Sequence, residues 1–269
     1  MQKANNLTTP TLRTALKNES PLGTLPPALP IGHISSARYL FAILDEGALQ
    51  PRHCKVLLKD ILYMSYGGLF YRPRRIQTQR AAELPVGLVF SPATLASVSS
   101  VFPFDSGAMA GNSCLDNWRA QMEPFTERFQ LPTENALDDT GSLVKVLYKT
   151  NKRYLEGNVT PRAAELSDPL PLLASFLRAD MTPDVDHRQR SIECLTEGNL
   201  LLDNHLLWIG FPARRTARIL RELYERTKPC VPQFRTYPYT RNFSPAEIAS
   251  KLEMWAYEDV IERFLEIPK

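Results

Sequence analysis

Proline placement limits this chain more than any other feature. Twenty-two of its 269 residues are proline. They fall mainly between short apolar runs, where each removes a backbone donor and blocks continuation of a helix. A chain punctuated in this way builds short helices and strands joined by many loops, an α+β protein. Hydrophobic residues at 43% and charged residues at 23% are ordinary for a globular chain of this length, which holds one large domain or two small ones. The net charge of +3 asks for no polyanionic partner unless the basic residues cluster.

The segment 1–30 is polar and then proline-rich (SPLGTLPPALP), which predicts a surface arm rather than core. A helix is expected from about Ser36 to Glu46, capped by Ser35 or Ser36, striped by Tyr39, Leu40, Ile43 and Leu44, and ended by Gly47. Residues 53–66 are apolar and fit a helix or a strand. PVGLVF at 85–90 reads as a buried strand. Residues 115–180 have a mostly helical pattern, with stops near Pro132, Gly141, Gly157 and the DPLP run. Strands are expected at 190–196 and 205–211, and a basic helix from about Ala213 to Thr227. The clearest helix is the last: Ser244-Pro245-Ala246-Glu247 supplies a cap, a proline at the first helical position and a capping-box glutamate. The division expected is an arm at 1–30, a core at 31–240 with a helical insertion near 115–180, and a C-terminal helix within 241–269.

Chemistry concentrates at two places. RQRSIECLTEGNLLLDNHLLWIGFP, residues 188–212, reads as a compact strand–turn–strand unit carrying one carboxylate, Glu193, expected on an outer strand face. Acids are disfavoured within strands, so a glutamate there raises the question of purpose. Far upstream, His33 precedes the first helix, and Tyr63, Tyr66 and Tyr71 follow. A solvated or salt-bridged glutamate is the plain alternative, with Arg188 and Arg190 near it in sequence.

The order Gly32-His33-Ile34-Ser35-Ser36, helix, Asp45-Glu46-Gly47-Ala48-Leu49 resembles the opening of the DarT-like ADP-ribosyltransferases, where a histidine-bearing strand leads into a helix ended by a glycine-leucine turn. Arg190-Ser191-Ile192-Glu193-Cys194-Leu195, followed by LLLD and HLLWI, is similar to that family's late segment, where the catalytic glutamate opens a strand. The resemblance implies a split, mainly antiparallel sheet flanked by helices, with NAD as substrate. It implies Glu193 as the catalytic residue, His33 and Arg72 as NAD contacts, and Tyr66 or Tyr71 stacked on nicotinamide. Cleavage of a nicotinamide–ribose bond suits these residue types. Positive charge builds on the sugar as in glycoside cleavage, and a carboxylate stabilises it. A nucleic acid or a protein is the implied acceptor, with room for an inhibitory or regulatory partner protein. The implied setting is a bacterial toxin or antiviral-defence effector.

Arg72, Arg74, Arg75 and Arg80 have no acid between them, and the run at 214–221 carries four more arginines. Either cluster could hold phosphates, so a non-catalytic nucleic-acid- or protein-binding module stands as the alternative. Asp105-Ser106-Gly107 superficially resembles a serine-protease nucleophile, but lacks its framing and spacing. A tight turn in which the Asp105 carboxylate holds backbone N–H groups is expected instead. P-loop, Rossmann and HExxH motifs are absent, and the four scattered cysteines have no metal-ligand spacing. Asp184, Asp186 and His187 form only a weak metal candidate. No apolar stretch approaches the roughly 18 residues needed to span a bilayer, and the expected setting is cytoplasmic.

Overall fold

Residues 85–90 carry apolar side chains at nearly every position, and the strand they form is buried along its whole length. It sits inside the main sheet because only a strand covered on both faces tolerates such a sequence. The computed structural model describes residues 11–19, 24–70, 83–110, 120–179, 190–203, 205–228, 230–238 and 244–265. The chain begins with α1 (Leu12–Glu19), β1 (Ile31–Ser36), α2 (Ala37–Glu46), β2 (Ala48–Leu49), β3 (Arg52–Cys54), β4 (Lys59–Tyr66), β5 (Pro85–Phe90) and β6 (Ser100–Phe102). It continues with α3 (Ser106–Ala110), α4 (Phe125–Phe129), β7 (Leu131–Pro132), α5 (Ala136–Leu147), α6 (Asn151–Leu155) and α7 (Leu170–Arg178). The last elements are β8 (Glu193–Thr196), β9 (Leu200–Leu201), β10 (Leu206–Pro212), α8 (Thr216–Thr227), β11 (Gln233–Tyr237) and α9 (Pro245–Asp259).

The main sheet runs β11-β10-β5-β1-β4-β8-β6-β7, with β3 also paired to β4. Among the described residues only the β10–β11 pair is parallel; the other pairings of this sheet are antiparallel. The fold class is therefore α+β, a mainly antiparallel sheet flanked by helices. No helix among the described residues is long and apolar enough to cross a membrane.

Two expectations are corrected. Residues 188–212 do not form one compact unit, because β5, β1 and β4 separate β8 from β10 in the sheet. Between them β9 pairs with β2 (Ala48↔Leu201, Leu49↔Leu200), which carries the chain away. The early segment is also more than a surface arm. Leu12, Ala15 and Leu16 are buried on one side of α1, and Leu29 is fully enclosed. Arg13 reaches Asp139 through two hydrogen bonds of 3.1 and 3.0 Å, and the Asn151 amide donates to Pro27 O at 2.7 Å. The helices within 115–180 bring Phe129, Leu143, Leu147, Tyr148, Leu173 and Phe176 into the core that contains Ile31, Met64 and Leu88 of the sheet.

The other face of β5 and β10 is covered by α9, whose start carries the expected capping box between Ser244 and Glu247. A second cluster forms there from Val89, Trp208, Ile248, Leu252 and Ala256. At the end of α9, Asp259 accepts from Trp208 Nε1 at 2.9 Å and from Arg235 at 2.9 and 2.6 Å. The Arg235 hydrogen bond holds the Asp259 carboxyl below its ordinary pKa, burial opposes it, and the Trp208 bond adds to it. Asp259→Ala leaves the indole N–H of fully buried Trp208 without its acceptor, an expected cost of about 1–3 kcal/mol. A native pKa below the unfolded one makes the carboxylate's contribution full above about pH 4 and lost as pH falls through the native value. In urea titrations the gap between the two proteins is expected to narrow from neutral to acid pH, because only the charge-dependent part of the Asp259 contribution is lost there.

Candidate functional site

Glu193 opens β8, between β4 on one side and β6 on the other. Its direct cross-strand neighbours are Ser65 and Phe102. The expected outer-face position is corrected: Glu193 is 3% exposed. The cause lies after β6, where the chain turns at Asp105 into α3 and places the Ser106 N–H on Glu193 Oε2 at 3.1 Å. A carboxylate is carried inside a protein only with such compensation. The turn forms as expected, with Asp105 Oδ1 accepting from the Ala108 N–H at 2.6 Å. Asp105 is itself 6% exposed, so two acids share this buried corner. The Ser106 hydroxyl is enclosed beside them and has no hydrogen-bond partner among the described residues.

Strand alternation puts Tyr63 and Ser65 of β4 on the same face as Glu193, because Ser65 is paired with it and Tyr63 lies two residues away. Both are half-buried. The Tyr63 hydroxyl donates to Cys54 Sγ, and that sulfur also accepts from the Val56 and Leu57 N–H groups at 3.3 and 3.2 Å. The ring is thus anchored by its tip. Burial raises the Tyr63 pKa well above its ordinary value, followed by the Cys54 hydrogen bond and the charges of Glu193, Cys54 and Asp105. Tyr63 is consequently a neutral phenol at every working pH.

His33 lies at a discontinuity of the sheet. β1 pairs with β5 along all six residues, but with β4 only at Ile31↔Tyr66 and Gly32↔Ser65. Further along the same edge of β4, β3 takes over at Arg52↔Ile61. The Tyr63 carbonyl faces the opening left between them and is met there by His33 Nδ1 at 2.8 Å. A carbonyl can only accept, so Nδ1 carries the proton and the neutral ring keeps Nε2 as an acceptor. Burial lowers the imidazole pKa, the Tyr63 bond raises it, and the charge of Arg52 lowers it again, with a net fall below the ordinary value. The ring is neutral at pH 7. By register, the Cβ of His33 projects from the face opposite Gly32 and Glu193. Its ring nevertheless lies in the seam, against the backbone of the residue whose side chain neighbours Glu193.

Tyr66 is placed elsewhere. It pairs with Ile31 on the opposite face and is fully enclosed, and its hydroxyl accepts from the Leu29 N–H at 3.0 Å. Burial pushes its pKa up to about 12. It offers no face to a ligand, which corrects its expected stacking role; among the described tyrosines of this segment Tyr63 has the position that Tyr66 lacks. Tyr71 and Arg72 lie outside the described residues, as do Arg74, Arg75, Arg80, Asp184, Asp186 and His187. Of the second arginine run, Arg215 and Arg218 lie over the Phe41 ring, 5.8 and 4.5 Å from its centroid. No group of histidine, cysteine, aspartate and glutamate able to hold a metal ion occurs among the described residues.

No family model matches the sequence, and no curated protein matches it. Among solved structures, the chain is similar to Thermus sp. 2.9 DarT in complex with NAD+, with a TM-score of 0.42 and 14% identity over 80% of this chain and 100% of that one. It is similar also to Thermus sp. 2.9 DarT in complex with carba-NAD+, with a TM-score of 0.38 and 13% identity over 79% of this chain and 97% of that one.

Proposed function

We propose that this protein is an NAD-dependent ADP-ribosyltransferase acting on a nucleic acid or a protein. The observation that carries the reading is Glu193: a buried carboxylate that opens a central strand, held by a backbone N–H beside a seam where His33 is fixed with an acceptor nitrogen. The resemblance of the segments around His33 and Glu193 to DarT-like enzymes supports the same reaction class. It extends the proposal to a toxin or defence effector restrained by a partner protein.

The residues present fit NAD. Glu193 supplies a carboxylate, Tyr63 a tip-anchored aromatic ring, and His33 an acceptor nitrogen. Bound NAD supplies an ADP-ribosyl group whose bond to nicotinamide breaks with positive charge growing on the ribose. In this reading Glu193 accepts a hydrogen bond from a ribose hydroxyl and opposes that charge. Tyr63 takes the stacking role that enclosed Tyr66 cannot fill, and Tyr71 remains proposed for the same nicotinamide face. His33 Nε2 accepts from the hydroxyl of the adenosine ribose and holds the cofactor in place. Arg72 remains the proposed partner of the NAD phosphates.

The test is nicotinamide release from NAD, followed by proton NMR with the wild-type protein beside His33→Ala. Release by the wild type is expected, with KM raised about tenfold in the variant and kcat little changed, as for a contact made equally in ground and transition states. Absence of both NAD binding and nicotinamide release in the wild type sinks the reading and leaves the arginine-rich binding module.

A further inference from the structure

Arg153, Arg178 and Arg190 line one open cleft of about 520 Å³ with Gly157, Asn158, Val159 and Pro161, a set that shares no residue with the Glu193 corner. We propose that this cleft binds a small phosphate-bearing molecule through its three guanidinium groups.

Each arginine arrives from a different element. Arg153 belongs to α6, Arg178 ends α7, and Arg190 stands three residues before Glu193. Each donates to one backbone carbonyl: Arg153 Nε to Asn158 O at 3.3 Å, Arg178 to Thr160 O, and Arg190 to Ala179 O. These contacts orient the groups and leave most of the five N–H donors of each guanidinium unspent. Arg190 Nε is buried and has no hydrogen-bond partner among the described residues. None of the three arginines has an acidic partner among those residues either.

Carbonyl capping alone does not account for this arrangement. One lysine or one water would satisfy a single carbonyl, whereas three positive charges gathered on one cleft without an acid among the described residues suit a bound anion. Arginine presents a planar fork that matches phosphate oxygens in pairs, which selects phosphate over a simple halide. Gly157 lines the cleft at φ +69°, a backbone conformation that favours glycine. Val159 and Pro161 add an apolar wall, and the volume falls in the range of small-ligand sites, roughly 300–1,000 Å³.

The cleft is also tied to the candidate active strand. The Tyr154 hydroxyl, next to Arg153 in the chain, accepts from the Ile192 N–H at 3.0 Å and donates to Tyr66 O at 2.8 Å. Occupancy at Arg153 and Arg190 therefore bears on both sides of the residue pair that precedes Glu193.

The experiment is isothermal titration of the full chain with sodium pyrophosphate at low ionic strength. One-to-one binding is expected, weakening steeply with added salt. The double substitution Arg153→Gln and Arg178→Gln is expected to reduce affinity at least tenfold, while Glu193→Gln keeps wild-type affinity. If circular dichroism shows the double variant unfolded, Asn158→Asp sets a carboxylate into the same cleft and is expected to give the same loss. Absence of binding by the wild type overturns the proposal. So does affinity unchanged in the folded double variant or in Asn158→Asp. None of these readouts requires NAD turnover, so the proposal stands or falls apart from the enzymatic one.

Discussion

Glu193→Gln is expected to lower the rate of nicotinamide release by about a thousandfold, the range seen when one group that stabilises developing charge is removed, with the fold intact. Glutamine has the shape of glutamate, and its carbonyl oxygen can still accept from the Ser106 N–H that now reaches Oε2 at 3.1 Å. It lacks the negative charge that opposes the positive charge on the ribose. Glu193 is 3% exposed and shares its corner with buried Asp105, so the neutral side chain also relieves desolvation and like-charge repulsion. The thermal midpoint of the variant is expected to match or exceed that of the wild type. Two measurements decide the matter, nicotinamide release under saturating NAD and a thermal melt. Activity retained at more than a tenth of wild type removes Glu193 from the reaction. Activity lost together with the fold makes it a structural residue.

Local signals in the sequence were legible wherever the physics is local. The cap at Ser244, the stop at Gly47 with φ +65°, and the turn held by Asp105 all depend on residues within a few positions of one another. Buried PVGLVF declares itself by composition. The burial of Glu193 was hidden because the N–H that holds it comes from Ser106, 87 residues earlier. The exchange of Tyr66 for Tyr63 has a different cause. Residues 53–66 fit helix or strand equally, and until the strand is known no face can be assigned; one position of shift then inverts every side chain. Prolines around residue 26 concealed Leu29, and the isolated pair Leu12 and Leu16 was too short a stripe to stand out. Arg188–Pro212 looked like one unit because strand pairing over a distance leaves no mark in the connecting segment.

Gly32→Ala carries the largest expected effect on stability. A Cβ at Gly32 would lie 1.9 Å from the carbonyl oxygen of Gly68 and 2.6 Å from its carbon, far inside contact distance and against backbone that no rotamer change can move. The chain leaving β4 crosses directly over β1 at this point, and Leu69 continues onto Gly87, where an added Cβ would stand 2.6 Å from Leu69 Cδ1. A methyl at 32 must lift the 67–69 segment, loosen fully buried Leu69 and weaken the Gly67 N–H bond to Pro30 O, now 2.8 Å. The cost is expected at about 3 kcal/mol, the upper end for overpacking, and the melting midpoint should fall by roughly 6–12 °C. Gly198→Ala is the matched control. The nearest atom to its added Cβ is 3.9 Å away, and its stability should stay within about 0.5 kcal/mol of wild type. Gly32 is also the last β1 residue paired to β4 before His33 enters the seam. Variant protein that still folds is therefore expected to show a raised KM for NAD, because the displacement begins one residue from the imidazole that fixes the ribose. A variant as stable as Gly198→Ala would mean that the crossing of 67–69 over β1 is looser than its contacts require.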